Sequence, residues 1–128
     1  AVKFVAGSHR SEELFFARHF IDGANYSQSD PSFRPVPDID GKPDLYDVRG
    51  WSLNPGDAIL FDFRTLHGTT AAKILNRRRA FSTRWLGDDV VYKHRQGETS
   101  PPLNLLNIVS GEKMPERWFP TVWRRQAS

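Results

Sequence analysis

The stretch LNPGDAILFDFRTLHGT, residues 53–69, carries the clearest fold signal in this chain. Its segment Asn54-Pro55-Gly56-Asp57 predicts a tight turn, because proline pre-sets the backbone for the second turn position. Ala58–Leu66 then alternates as a strand does. The side chains on one face of that strand would be Ile59, Phe61, Phe63, Thr65 and His67.

The flanking sequence adds further short elements separated by glycine, proline and polar residues. A short helix is predicted over Glu12–His19, and residues 22–43 are typical of a long surface loop. Several short strands joined by such turns favour a mainly β fold, a sandwich or jelly roll with little helix. The other predicted strands are Val2–Ala6, Leu45–Leu53, Arg78–Leu86 and Val90–Lys93.

Composition excludes several classes of protein. The chain has 128 residues, 38% of them hydrophobic and 12% aromatic, which suffices for one core. With no cysteine, disulfides, zinc–thiolate sites and thiol nucleophiles are excluded, and a cytoplasmic setting is expected. The net charge of +3 is split into short clusters, so a nucleic-acid partner is not expected. No apolar run approaches the length of a membrane span, so a membrane partner is not expected either.

The ends of the chain suggest a piece of a larger fold. The only methionine is Met114, and the sequence opens directly on the strand-like Val2–Ala6. We therefore expect a fragment whose residues 1–96 belong to the fold's core. Residues 97–128, rich in proline and tryptophan, are predicted to form an irregular tail that packs on the sheet.

A histidine and an arginine stand out as candidate site residues. Arg78 follows His67 by 78 − 67 = 11 positions. If their strands pair as antiparallel neighbours, both side chains can point into one barrel mouth. A neutral imidazole there can ligate a transition metal, and a guanidinium can hold a carboxylate with two hydrogen bonds. The alternative from spacing alone is a structural histidine beside a solvated arginine cluster.

Four motifs in this order resemble those of the phytanoyl-CoA dioxygenase family. They are a "PGD" turn within Leu53–Phe61, an "HG" strand end at Leu66–Thr69, an "RRA" strand at Arg77–Ser82, and a "GSH" turn within Phe4–Arg10. Ala6 stands where proline is usual in that turn. The resemblance runs from about Val2 to Asp89.

The resemblance implies a double-stranded β-helix, a cupin-like jelly roll, here incomplete. It implies Fe(II) and 2-oxoglutarate as cofactors and hydroxylation of a small organic substrate as the reaction. His67 matches the distal histidine of the iron triad, and Arg78 matches the arginine that pairs with the distal carboxylate of 2-oxoglutarate. Ser82 shares the parity of Arg78 and can add a hydrogen bond to that carboxylate. Arg84 can contact an acidic substrate or pair with Asp88 or Asp89.

The sequence departs from the family in one respect that matters for chemistry. The iron triad also needs a His-x-Asp pair. The four histidines are followed two positions later by Ser11, Ile21, Thr69 and Gln96, so none forms that pair. We therefore expect the chain alone to bind iron poorly and to be inactive. The alternative is a non-catalytic, cupin-like module that binds a small molecule.

Two further expectations follow from an incomplete barrel. A cut jelly roll exposes sheet edges and its apolar inner face, so we expect self-association, most simply as a homodimer. His9, in the GSH turn, is expected to be structural rather than a ligand.

Overall fold

The computed structural model describes residues 2–19, 23–26, 31–69, 79–95, 99 and 101–124. Across these residues, strand is the main regular structure, and no helix reaches seven residues, which confirms the β-rich prediction. No helix of this described part is long and apolar enough to span a membrane. The strands are β1 (Lys3–Val5), β2 (Leu14–Phe15), β3 (Phe33–Arg34), β4 (Val48–Gly50) and β5 (His67–Gly68). Single-turn 3-10 helices span Ser8–Arg10, Pro43–Leu45 and Leu103–Leu106.

The chain divides into two compact units. The first contains Ala1–Phe15 and Ser32–Arg84, and the second contains Phe16–Pro31 and Trp85–Ser128. All five strands fall in the first unit. The expected division into a core of residues 1–96 and a tail of residues 97–128 stays a prediction.

A three-stranded antiparallel sheet with the order β4–β1–β5 organises the first unit. Phe4 in the central strand lies opposite Arg49 on one side and His67 on the other. Two backbone bonds continue the ladders beyond the strands: Val5 N–H to Leu66 O at 2.9 Å, and Ala6 N–H to Asp47 O at 2.8 Å. The strand predicted near the N-terminus is thus confirmed, and it lies at the centre of the sheet.

A second, two-stranded sheet corrects the predicted helix. Leu14 and Phe15 pair in parallel with Phe33 and Arg34, so Glu12–His19 is not helical. Helix propensity is a weak preference that tertiary pairing overrides. The described residues of the predicted loop over residues 22–43 therefore include the strand β3.

The Asn54–Asp57 turn forms as predicted. Asp57 N–H donates to Asn54 O at 3.1 Å, and the Asp57 carboxylate accepts the Asn54 N–H at 2.8 Å. Gly56 has φ 100°, the positive φ that a type II turn requires at its third position.

The strand predicted over Ala58–Leu66 is wrong, and the reason is Asp62. Its carboxylate accepts the Arg64 N–H at 2.8 Å, and its carbonyl accepts the Thr65 N–H at 2.8 Å. A short acidic side chain that bonds its own backbone two residues on stabilises a turn instead of a ladder. The predicted alternation breaks there: Phe63 is exposed, whereas Thr65 is buried.

The later predicted strands are also shorter than expected or absent. The described residues 79–86 form no strand. In the second unit, Val91 makes an isolated bridge to Lys113, and the neighbouring Tyr92 exchanges backbone bonds with Gly111 and Glu112. Among the described residues of that unit, Tyr92 and Ile108 are buried and apolar.

Candidate metal-ligand and cosubstrate site

His67 begins β5 and lies directly opposite Phe4 of the central strand. It follows the turn that Asp62 stabilises, which ends at the buried Thr65. The position of this histidine is therefore fixed on one side by sheet pairing and on the other by a turn. Both features act on the backbone, so the site does not depend on a mobile loop tip.

Two aromatic side chains, Phe4 and Phe61, contact the imidazole, and a third, Trp51, packs on Phe4. The ring of Phe61 meets the His67 ring edge-on, with centroids 4.9 Å apart. Phe4 contacts Phe61 at 4.8 Å and Trp51 at 5.8 Å between centroids. Such edge-to-face and tilted contacts favour one ring arrangement over others. The cluster therefore restricts the orientation of the His67 side chain.

The tautomer of His67 follows from its hydrogen bond. Its Nδ1 atom lies 2.7 Å from the carbonyl oxygen of Thr65. A carbonyl oxygen only accepts, so Nδ1 carries the proton and the neutral ring keeps its lone pair on Nε2. Within the described part of the chain, Nε2 has no hydrogen-bond partner. Metal-binding histidines are typically held in this way, with the second ring nitrogen bonded to a carbonyl or carboxylate.

The residues around His67 fit the role of one iron ligand but not a complete iron site. Non-haem oxygenases hold Fe(II) with two histidines and a carboxylate. No group of three histidine, cysteine, aspartate or glutamate side chains that could hold a metal occurs among the described residues. Because no second histidine and carboxylate join His67 among the described residues, these residues do not form a complete iron site by themselves.

Of the other predicted site residues, the structure describes Ser82 and Arg84. Arg78 lies outside the described residues. Ser82 and Arg84 are described and exposed, and they make no hydrogen bond or ion pair with other described residues of their unit. Asp88 and Asp89, the alternative partners of Arg84, belong to the other unit. The roles assigned to Arg78, Ser82 and Arg84 stay predictions.

The GSH turn is hydrogen-bonded to β1 and to the segment of the same chain that precedes β4. Gly7 has φ 78°, a left-handed backbone conformation that favours glycine. The usual proline before it is replaced by Ala6, whose N–H donates to Asp47 O at 2.8 Å. Proline has no N–H and could not make this bond. His9 lies half-buried in the 3-10 helix of this turn.

The sequence did not reveal the side chains that position His67. Ser8 Oγ donates to Val5 O at 2.8 Å and accepts the Leu66 N–H at 2.8 Å. Ser8 and Leu66 are 58 positions apart, so no local pattern links them. The only signal was the serine of the GSH motif itself, which carries no indication of its partner.

An open groove of about 400 Å³ lies beside the Asn54–Asp57 turn. It shares Trp51 with the aromatic cluster but does not include His67. The residues that line the groove are Trp51, Ser52, Leu53, Ala58, Ile59 and Leu60.

Comparison with known proteins gives one positive result. A family model described as phytanoyl-CoA dioxygenase (PhyH) matches residues 1–80, which is more than half of the 128 residues. No curated protein and no solved structure matches the chain. The matched segment includes the GSH turn, the Asn54–Asp57 turn, His67 and Arg78.

Proposed function

Because this chain belongs to the phytanoyl-CoA dioxygenase family, we propose that it forms the C-terminal part of the core of a non-haem Fe(II), 2-oxoglutarate-dependent dioxygenase. The complete core would be a double-stranded β-helix, and its reaction the hydroxylation of a small organic substrate. The family match supports this proposal, since it spans both motifs that carry His67 and Arg78.

The single observation that most supports the proposal is the state of the His67 imidazole. Its Nδ1 proton is bonded to Thr65 O at 2.7 Å, which leaves Nε2 as a neutral donor atom for a metal. We therefore assign His67 as the one iron ligand that this chain contributes.

Arg78 is our candidate for the cosubstrate anchor. A guanidinium presents parallel N–H groups that match the two oxygens of a carboxylate, so it suits the distal carboxylate of 2-oxoglutarate. Ser82 would add a hydroxyl donor to the same carboxylate, and Arg84 would contact an acidic substrate. The resemblance to the family's RRA strand supports the first assignment. The other two rest on the alternation expected of a strand, which the described residues 79–86 do not form.

The 128 residues are proposed to be inactive by themselves. None of the four histidines belongs to a His-x-Asp pair, and one imidazole does not hold Fe(II) tightly. The absence of the pair also favours a second candidate function, a non-catalytic cupin-like module that binds a small molecule. The Nε2 atom of His67, which has no hydrogen-bond partner among the residues that the structure describes, favours the dioxygenase over that module.

We further propose that the chain self-associates as a homodimer and works in the cytoplasm. Large apolar side chains in the first unit are exposed, Leu60 and Phe81 at 93% and Phe63 at 79%. Exposed apolar surface of this kind is commonly covered in an assembly. A chain without cysteine is compatible with a reducing compartment.

The decisive experiment uses the longest natural protein that contains this sequence. Release of succinate from 2-oxoglutarate, with Fe(II) and O2 present, reports the reaction without knowledge of the substrate. We expect His67→Ala and Arg78→Ala to lower that rate by about 100-fold or more, since even outer-shell changes at metal sites cost up to that much.

His9→Ala is the control and should retain the rate. Full activity in His67→Ala would exclude the dioxygenase assignment, and binding of a small molecule without turnover would support the module.

A further inference from the structure

We propose that Ser8 is a positioning residue that selects the tautomer of His67, acting through the single peptide unit between Thr65 and Leu66. The consequence for metal binding rests on the proposed function of His67. The tautomer itself does not, because it is a property of the chain without metal.

The first step is the pair of hydrogen bonds made by the Ser8 hydroxyl. Its Oγ accepts the Leu66 N–H at 2.8 Å and donates its own proton to Val5 O at 2.8 Å. A hydroxyl has one proton, so the bond to Val5 O commits that proton and leaves the oxygen lone pairs for Leu66. The direction of this pair of bonds is thereby fixed.

The second step is the geometry of the peptide group. The N–H of Leu66 and the C=O of Thr65 belong to the same planar unit and point in opposite directions when the bond is trans. Holding the Leu66 N–H toward Ser8 therefore holds the Thr65 carbonyl toward the opposite side. That carbonyl oxygen is the atom 2.7 Å from His67 Nδ1.

The third step is the support on either side of this peptide. The next carbonyl, Leu66 O, accepts the Val5 N–H at 2.9 Å, and the preceding amide, Thr65 N–H, donates to Asp62 O at 2.8 Å. Thr65 is also buried, at 9% exposure. The peptide cannot turn without breaking these bonds, and bonds in a chain strengthen one another. Ser8 is thus connected to the ring nitrogen by an ordered path.

The test is histidine-labelled NMR of the 128-residue chain without metal, at a pH where the imidazole is neutral. Nitrogen chemical shifts distinguish the Nδ1–H from the Nε2–H form. We expect His67 to be mainly Nδ1–H in the parent chain. Ser8→Ala leaves the Leu66 N–H without its acceptor, so the Nδ1–H to Nε2–H ratio should fall by about five-fold, the size expected for one net hydrogen bond. Ser8→Thr keeps the hydroxyl and should restore the ratio.

Ser11→Ala is the matched control, because the Ser11 hydroxyl also accepts a backbone N–H nearby, that of Glu13 at 3.1 Å. It has no bond to the Thr65–Leu66 peptide, so it should leave the tautomer unchanged. If Ser8→Ala does not fold, Ser8→Cys keeps a similar shape with a weaker acceptor and should lower the ratio.

Two results would overturn the proposal: a parent chain in which His67 is mainly Nε2–H, or a folded Ser8 variant lacking the hydroxyl that retains the parent ratio. Failure of the proposed function is a separate result. It would appear as retained succinate release in His67→Ala, whatever the tautomer.

Discussion

The imidazole of His67 stacks on the ring of Phe4, with centroids 6.0 Å apart and planes 23° from parallel. Phe4 is also the buried centre of the three-stranded sheet, at 6% exposure. One side chain therefore packs the core and supports the candidate ligand. Loss of Phe4 should affect both the stability of the fold and the environment of His67.

Phe4→Ala should lower the free energy of unfolding by about 3–5 kcal/mol, the range for removing a buried phenylalanine. Urea denaturation followed by tryptophan fluorescence measures this, since Trp51 lies 5.8 Å from the Phe4 ring. Phe63→Ala is the matched control, because Phe63 is 79% exposed and should change stability by less than about 0.5 kcal/mol. Equal losses in the two variants would mean that Phe4 is not the centre of the core.

A comparison of Gly56 and Gly68 distinguishes the cost of a positive φ from the cost of steric crowding. A Cβ atom added at Gly56 or at Gly68 would meet no atom within 4 Å, but Gly56 has φ 100°. Gly56→Ala should therefore destabilise the chain by about 1–2 kcal/mol, the cost of a positive φ for a residue with a side chain. Gly68→Ala should stay within about 0.5 kcal/mol. Thermal denaturation of both variants checks this, and a cost for Gly68→Ala equal to that for Gly56→Ala would argue against the turn geometry.

An exposed ion pair at the sheet edge predicts a local pH effect. The Arg49 guanidinium, 2.7 Å from the Asp47 carboxylate, lowers the pKa of Asp47 by hydrogen bonding. The stabilisation from a lowered carboxyl pKa is present above the unfolded-state pKa and is lost as pH falls through the folded-state pKa. It should be small and salt-sensitive, because both side chains are exposed.

Arg49→Gln should raise the pKa of Asp47 toward its ordinary value, as followed by NMR titration of the carboxyl carbon. Arg34→Gln removes a charge elsewhere in the same unit and is the control. An Asp47 titration that does not move in Arg49→Gln would contradict the pairing.

The proposed homodimer predicts that exposed apolar residues contribute to association. Phe81→Asp should shift the chain toward monomer in sedimentation velocity at tens of micromolar, an order-of-magnitude range for weak dimers. Ser82→Asp adds the same charge one position away without removing an apolar side chain, and it should shift the equilibrium less. A parent chain that sediments as a single monomer in this range would exclude the dimer.

Local signals in the sequence predicted part of the local structure. The Asn54–Asp57 turn and the central strand β1 form where proline, glycine and apolar residues indicate them. The strand over Ala58–Leu66 does not form, because Asp62 bonds the backbone of Arg64 and Thr65, and alternation of apolar residues does not report such a bond. The predicted helix over Glu12–His19 does not form, because Leu14 and Phe15 pair with Phe33 and Arg34 instead.

In the candidate site, too, a local motif was readable from the sequence and the long-range contacts were not. His67 could be identified from its motif, but the groups that orient it could not. Ser8 acts from 58 positions away from Leu66, and Phe4 reaches His67 only through strand pairing. Contacts of this kind depend on tertiary structure, which a single sequence pattern does not encode.

The central claim is that His67 is the one iron ligand within these 128 residues. Anaerobic titration of the chain with Fe(II), in the presence of 2-oxoglutarate, tests it most directly. We expect no stoichiometric binding at tens of micromolar, an order-of-magnitude working range, and any weak binding at higher iron should decrease in His67→Ala. Binding of one equivalent of iron with micromolar affinity would contradict the claim, because it would require further iron ligands besides His67 within these residues.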